Sequence, residues 1–324
     1  MALERVCVTG GGGYQASWLI KLLLASKCYI VHATLREPDN EKNAHLKSLE
    51  NASENLRLYK ADLLDYSALL TAIEGCNGVF HVASPIQPDT VSNPEIEIIQ
   101  PAVRGTSNIL KACSAANVKR VVVVSSIAAV VYNPNWPKDK PMDESCWSDI
   151  ETCKTAEPEY KYNTYSLAKT IAESEALEYG KGAGLEVITV CPSTIIGPML
   201  QSAVNWSSWL IFKLLKGGIH TLENKIWRFV DVRDVAAALL LVYEKPEAQG
   251  RYICSSYTIK VKGMVDKLKS MYPDCNYPTQ ITEIDEGYKD LNTEKLQRLG
   301  WRYRSLEETI VDSVKNYQEK GLLE

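Results

Sequence analysis

Four consecutive glycines, Gly10 to Gly13, stand one residue, Thr9, behind a short apolar run, Val6-Cys7-Val8, and directly ahead of a stretch with helical spacing that opens at Tyr14. Residues without side chains between a strand and a helix let the backbone bend tightly and approach a pyrophosphate, whose charge then faces the helix N-terminus. Gly10 and Gly13 fit the first two positions of such a turn, Tyr14 and Gln15 complete it, and Ala16 takes the third, where a small residue lets helix pack closely on strand. A glycine-rich turn can be a plain structural feature. At the first strand-to-helix junction of a chain it implies a dinucleotide site.

The rest of the first two hundred residues agrees with that start. Short runs rich in Val and Ile at 5–9, 29–35, 56–60, 78–82, 119–125 and 185–191 alternate with helical patterns at 14–26, 40–50, 65–74, 93–116 and 163–181. Asp65 is the expected N-cap of the third helix. Such alternation is the signature of βαβ units, and right-handed crossovers then build a doubly wound parallel sheet covered on both faces. The fold class expected is therefore α/β, a Rossmann-type domain over residues 1–191. After residue 191 the regularity fails. Pro192, Gly197, Pro198, Gly217 and Gly218 punctuate helix candidates at 203–216, 231–243, 261–271 and 305–320 and short strands such as 250–254. Residues 192–324 are expected to form mainly a smaller substrate-binding lobe, with some elements returning to the first domain. Segment 132–161, with Pro134, Pro137, Pro141 and Pro158, reads as a long loop, and such loops are often functional.

At 324 residues the chain is long enough for one large core and a smaller one. With 36 basic and 40 acidic residues and no basic block it carries no electrostatic footprint for nucleic acid. Apolar runs such as Val235 to Tyr243 are about half the roughly 20 residues that cross a bilayer. The N-terminus lacks the features of a secretory signal, so the cytosol is the expected compartment. Nine cysteines without a Cys-x-x-Cys pair, and four histidines without ligand spacing, imply neither a disulfide framework nor a metal. Nothing in the sequence sets the number of copies in an assembly.

Tyr165 and Lys169 share one helix face at i and i+4, and the strand before them ends in Ser125-Ser126. A phenol is a weak acid at neutral pH, and an ammonium one turn away favours its anion. Tyr165 would protonate a carbonyl oxygen, Lys169 would tune it and hold the cofactor ribose, and Ser126 would hydrogen-bond the oxyanion. Ser125 is the competing choice, on the other face of the strand. Tyr-x-x-x-Lys alone is common on amphipathic helices; with Ser126 and the glycine turn it implies a carbonyl reductase.

The residue past the second strand selects between the two nicotinamide cofactors. Here it is Arg36, with Lys42 close behind, and a guanidinium forks onto phosphate oxygens, so NADPH is expected. The adjacent Glu37 leaves room for NADH, and Arg36 as a merely solvated charge is the plain alternative. Asp62-Leu63 past the third strand is placed for the adenine, and Val82-Ala83-Ser84 past the fourth for the nicotinamide half. His81 reads as a satisfied buried histidine rather than a ligand. Tyr132, Trp136, Trp206, Trp209 and Phe212 suggest an aromatic slot, with ordinary core packing as the alternative for each.

On these residues the chain resembles the extended short-chain dehydrogenases/reductases of plants that include cinnamoyl-CoA reductase, dihydroflavonol reductase and atypical cinnamyl-alcohol dehydrogenases. The segments that carry the resemblance run from Val8-Thr9-Gly10 through Leu19, from Val79 to Pro85, from Ser125 to Val130, from Asp143 to Asp149 and from Val230 to Ala236. The resemblance implies that Ser126, Tyr165 and Lys169 are the family triad. It also implies that Pro192, Ser193, Thr194, Ile195 and Ser207 contact the nicotinamide end and phosphates of NADP. Cinnamoyl-CoA reductases carry a cysteine where this chain has Ser166, though its partner is kept as Cys153. They carry a histidine where it has Leu210 and an arginine near Val261, while Lys213 is kept. The expectation is thus an NADPH-dependent reductase of cinnamaldehyde-type aromatic aldehydes, with Tyr132, Trp136 and Trp209 at the substrate. The alternatives are a cinnamoyl-CoA or ketone reductase and, outside catalysis, an NADPH-sensing protein.

Overall fold

The computed structural model describes residues 3–84, 93–155, 161–284 and 289–323. Pro85 and Pro158, named above, lie outside them, as does part of the 132–161 segment. Among the described residues seven parallel strands form the main sheet: β1 (Glu4–Val8), β2 (Tyr29–Leu35), β3 (Leu56–Lys60), β4 (Gly78–His81), β5 (Arg120–Val124), β6 (Glu186–Pro192) and β10 (Gly250–Cys254). Their order is β3-β2-β1-β4-β5-β6-β10. Runs such as Val121 to Val124 are continuous apolar sequence because both faces of the sheet are covered. The helices Tyr14–Ala25 and Val232–Glu244 cover one face, burying Leu19, Leu23, Val235 and Leu239. The helices Tyr66–Ile73, Gln100–Ala115 and Lys161–Ala183 cover the other, burying Leu69, Ile109 and Ala176. Strand order reverses between β1 and β4, and a crevice opens at the carboxyl ends of strands at such a point.

The second lobe has its own core, with Ile211, Leu214, Phe229, Val261, Met264 and Ile310 buried together. Its strands β7 (Thr194–Ile196), β9 (Ile226–Asp231) and β11 (Tyr257–Lys260) form a small sheet, and β8 (Thr221–Glu223) pairs with β12 (Gln280–Thr282). The 250–254 run, expected among the short strands of this lobe, is instead the outermost strand of the main sheet, in parallel register with β6 from Gly250 on Ile188 to Cys254 on Pro192. The helix expected at 40–50 is a 3-10 turn, Glu41–Asn43, followed by one turn of α-helix, Ala44–Lys47. That expected at 93–116 divides into a π-helical turn, Glu95–Ile99, and the helix Gln100–Ala115. Pro101 lacks the N–H that would continue a regular ladder there. Asp65 caps the Tyr66–Ile73 helix as expected, accepting from Ala68 N at 3.1 Å.

Candidate functional site

Parallel strands end at one edge, so the segments beyond them fall in a row set by strand order. Asp62 follows β3, Arg36 follows β2, Gly10 to Gly13 follow β1, Val82 to Ser84 follow β4, Ser125-Ser126 follow β5 and Ser193 follows β6. Gly10 takes φ 68°, and its N–H donates to Thr34 Oγ1 at 3.2 Å. A Cβ at Gly12 would lie 2.1 Å from Asn43 Oδ1. Asn43, which sequence reasoning passed over, is buried and donates to Glu37 O at 2.7 Å, fastening the turn beyond β2 beside the glycines. The Tyr14–Ala25 helix has no side-chain cap at its start, and the buried Gln15 Nε2 and Ser193 Oγ have no partner. An uncapped helix N-terminus, a glycine cradle and unpaired buried polar atoms on one edge fit a dinucleotide. Tyr14 faces away, its hydroxyl donating to Gly197 O at 2.9 Å, so only its backbone is available to a phosphate.

Arg36 is exposed and makes no hydrogen bond or ion pair among the described residues. Glu37 pairs with Lys42 at 3.4 Å, not with Arg36. Asp62 Oδ1 accepts from Leu64 N at 2.9 Å, and Leu63 packs under the Gln100–Ala115 helix beside Gly105. Thr194 and Ile195 pair with Phe229 and Val230 in the small sheet, and Ser207 is held by Asn205 Nδ2 at 2.8 Å.

His81 is buried between two threonines. Thr9 Oγ1 accepts from Val82 N and Ala83 N, both at 3.0 Å, so its own hydrogen goes to His81 Nδ1 at 3.0 Å. Thr106 Oγ1 donates to Ala102 O and therefore accepts from His81 Nε2 at 3.2 Å. Burial, then the nearby Lys169, pushes His81 down to about 3, which keeps the ring neutral. With both ring nitrogens taken by threonines, it braces the Val82–Ser84 turn through Thr9.

On the Lys161–Ala183 helix Tyr165 is half-buried and Lys169 is 8% exposed. Lys169 Nζ lies 5.8 Å from the Tyr165 ring centroid and donates to Val124 O at 3.1 Å, at the very end of β5. Ser126 Oγ accepts from Ala128 N at 3.1 Å, which leaves its hydrogen free to donate. Ser125 Oγ is committed elsewhere, donating to Glu173 Oε2 at 2.7 Å. Glu173, one turn beyond Lys169, pairs with Arg251 of β10 in the core. The i+4 spacing from Lys169 was the only sequence signal for it, and Arg251 had none.

The aromatics divide. Tyr132 packs with Ile98, Leu167 and Ala168, next to the Tyr165 helix. Trp209 is 40% exposed on the helix Trp206–Lys216, and Lys213 Nζ lies 5.7 Å from its ring. Trp136 instead packs at the β6–β10 margin with Val130 and Ile253, its indole N–H on Lys140 O at 3.0 Å, so it is core edge rather than slot. Phe212 is also core, buried with Met199 and Tyr317. Val261 is fully buried in the lobe core, so its replacement of an arginine says nothing about an entry path. Cys153 is buried, and burial pushes its thiol up, away from reactivity.

The model of the NAD dependent epimerase/dehydratase family matches residues 6–254. Cinnamoyl-CoA reductase 1 of Petunia hybrida is 44% identical over 324 residues, covering 99% of this chain and 94% of its own length. Among solved structures, vestitone reductase from alfalfa (Medicago sativa) superposes with a TM-score of 0.83 at 34% identity, over 98% of this chain and 99% of its own. Gre2 from Candida albicans, in complex with NADPH, does so with 0.82 at 27% identity, over 98% and 99%. The chain belongs to the NAD dependent epimerase/dehydratase family, as an extended short-chain dehydrogenase/reductase, and is a nicotinamide-dependent oxidoreductase.

Proposed function

We propose that this protein is an NADPH-dependent reductase of phenylpropanoid-type carbonyls and that its preferred substrate is a cinnamaldehyde-type aromatic aldehyde, reduced to the alcohol. One observation carries the chemistry. Lys169, one helix turn from Tyr165, is fastened to Val124 O, two residues before Ser126, at the end of a strand in the sheet that also carries the glycine turn.

Gly10, Gly13 and the first N–H groups of Tyr14 and Gln15 would hold the pyrophosphate, and Arg36 and Lys42 the 2′-phosphate. Asp62 and Leu63 would meet the adenine, while Val82 to Ser84 and Pro192 to Ile195 would flank the nicotinamide, with Ser207 reaching a phosphate. When bound, NADPH supplies the hydride. Tyr165 gives its hydroxyl proton to the carbonyl oxygen, and the Lys169 ammonium stabilises the phenolate left behind. Ser126 donates its single hydrogen to the developing oxyanion while its oxygen still accepts from Ala128 N. Tyr132 and Trp209 border the space for a flat conjugated ring.

Leu210 supports an aldehyde over a thioester. It packs on the lobe core where thioester reductases carry a histidine, and a phosphorylated CoA tail needs polar partners along its path. The exposed Lys213 and the 44% identity to a cinnamoyl-CoA reductase favour the second reading, reduction of a hydroxycinnamoyl-CoA. Paired steady-state assays with coniferaldehyde and feruloyl-CoA decide between them. The expected ratio of kcat/KM exceeds tenfold for the aldehyde, at least about 1.4 kcal/mol in transition-state binding. A higher value for feruloyl-CoA replaces the first reading with the second.

A further inference from the structure

Three successive residues at the end of β5 are held in three different ways. Val124 O accepts from Lys169, Ser125 Oγ donates to Glu173 at 2.7 Å, and Ser126 Oγ accepts from Ala128 N at 3.1 Å. Both holds come from one helix face, since Tyr165, Lys169 and Glu173 follow at i, i+4 and i+8. Glu173 is 1% exposed and Arg251 is 6% exposed. Glu173 Oε1 accepts from Thr189 Oγ1 at 2.6 Å, Arg251 Nε at 2.8 Å and Cys191 Sγ at 3.3 Å. Its Oε2 accepts from Ser125 Oγ and, at 3.3 Å, from Arg251 Nη2. Arg251 in turn donates to Glu144 O at 2.9 Å, Cys146 O at 2.7 Å and Ala129 O at 3.3 Å, with its guanidinium carbon 3.5 Å from the Trp147 ring centroid.

The helix, β5, β6, β10 and the loop around Glu144 to Cys146 therefore meet on one carboxylate. A buried ion pair of this kind does little for stability compared with apolar packing. Its effect is geometric, because a carboxylate enclosed by directional donors cannot shift without leaving one of them unpaired. Sequence separation adds to the point: Ser125, Glu173 and Arg251 have no local reason to meet.

We propose that Glu173, locked by Arg251, is a positioning residue of the reducing site: through the Ser125 hydroxyl it sets where the Ser126 hydroxyl stands relative to Tyr165. The proposal rests on the roles given above to Ser126 and Tyr165. Ser125 has one hydrogen to donate, so the link is single and can be removed by itself. Glu173→Gln leaves the Arg251 charge unpaired in the core and threatens the fold, which makes Ser125→Ala the informative variant.

Ser125→Ala is expected to keep its melting temperature within a few degrees and its NADPH affinity within twofold. Its kcat should fall about tenfold to a hundredfold, the scale of a small misplacement of a reacting group, with KM within threefold. Amide hydrogen exchange of residues 125–129 in the cofactor-free protein should accelerate at least tenfold, and Ser125→Thr, which keeps the hydroxyl, should restore both readouts. A kcat within twofold of the unmodified enzyme, a change confined to KM, or unchanged exchange overturns the proposal. If the unmodified enzyme reduces no aromatic carbonyl, the functional reading fails separately, and the exchange measurement still judges the link from Ser125 to Glu173.

Discussion

Gly10→Ala tests the glycine turn where its geometry is tightest. Gly10 has φ 68°, a conformation that costs a residue with a Cβ about 1–2 kcal/mol. The added carbon would also lie 2.9 Å from Ala83 Cβ and 3.1 Å from Ala83 Cα. Ala83 cannot retreat freely, because its N–H and that of Val82 are tied to Thr9 Oγ1, and Thr9 is braced by His81. Overpacking against such a wall costs about 1–3 kcal/mol. Together the two effects give about 2–5 kcal/mol, which for a chain of this length lowers the melting temperature by roughly 3–7 °C at about 2.1 cal/mol/K per residue. Ala83→Gly in the same chain relieves the Cβ contact but not the φ strain, and should recover about 1 kcal/mol or more. Gly182→Ala is the control: beyond its chain neighbours and its own helix backbone no atom lies within 4 Å of the added Cβ, and a helical glycine replaced by alanine should stabilise by up to about 1 kcal/mol. The assays are thermal unfolding of the cofactor-free protein and a fluorescence titration with NADPH, whose affinity should drop at least tenfold as the turn shifts. A Gly10→Ala protein that melts within 1 °C of the unmodified one and binds NADPH within twofold refutes the reasoning.

Tyr165→Phe should fold and bind NADPH yet lose about 10²- to 10⁴-fold in kcat, and near-normal turnover would remove it as the proton donor. Arg36→Ala should weaken NADPH roughly 10- to 100-fold while leaving NADH nearly unchanged; equal losses with both cofactors would rule out a 2′-phosphate contact. His81 is held neutral down to about 3, whereas a histidine in the unfolded chain takes up its proton near 6.5. Between those values the unfolded state binds the extra proton, so stability is lost as pH falls, by about 2 kcal/mol from pH 7 to pH 5 at this site. His81→Gln should lose that much less over the same interval in urea titrations, and identical pH slopes for the two proteins would contradict the neutral assignment.

Expected strands at 29–35 and 56–60 and the expected helix at 261–271 coincide residue for residue with the structure. Apolar periodicity and the residues that break it are local properties, and so is the i,i+4 pairing that put Tyr165 beside Lys169. The glycine turn was equally legible, since its demand for absent side chains lies in four adjacent positions. Partnership across the chain was not. Whether 250–254 joined the lobe or the main sheet depended on β6 offering a free edge some sixty residues earlier. Whether Trp136, Phe212 and Val261 faced a site or a core depended on what packed over them, because an aromatic or aliphatic side chain suits either setting. Ser125 and Ser126 were separable only as opposite faces of a strand; that the Ser125 hydroxyl is taken up by Glu173, itself paired with Arg251, is a matter of tertiary packing. Local sequence determined which elements form and which residues could do the chemistry, and long-range packing decided which of those residues are held at the edge where it can occur.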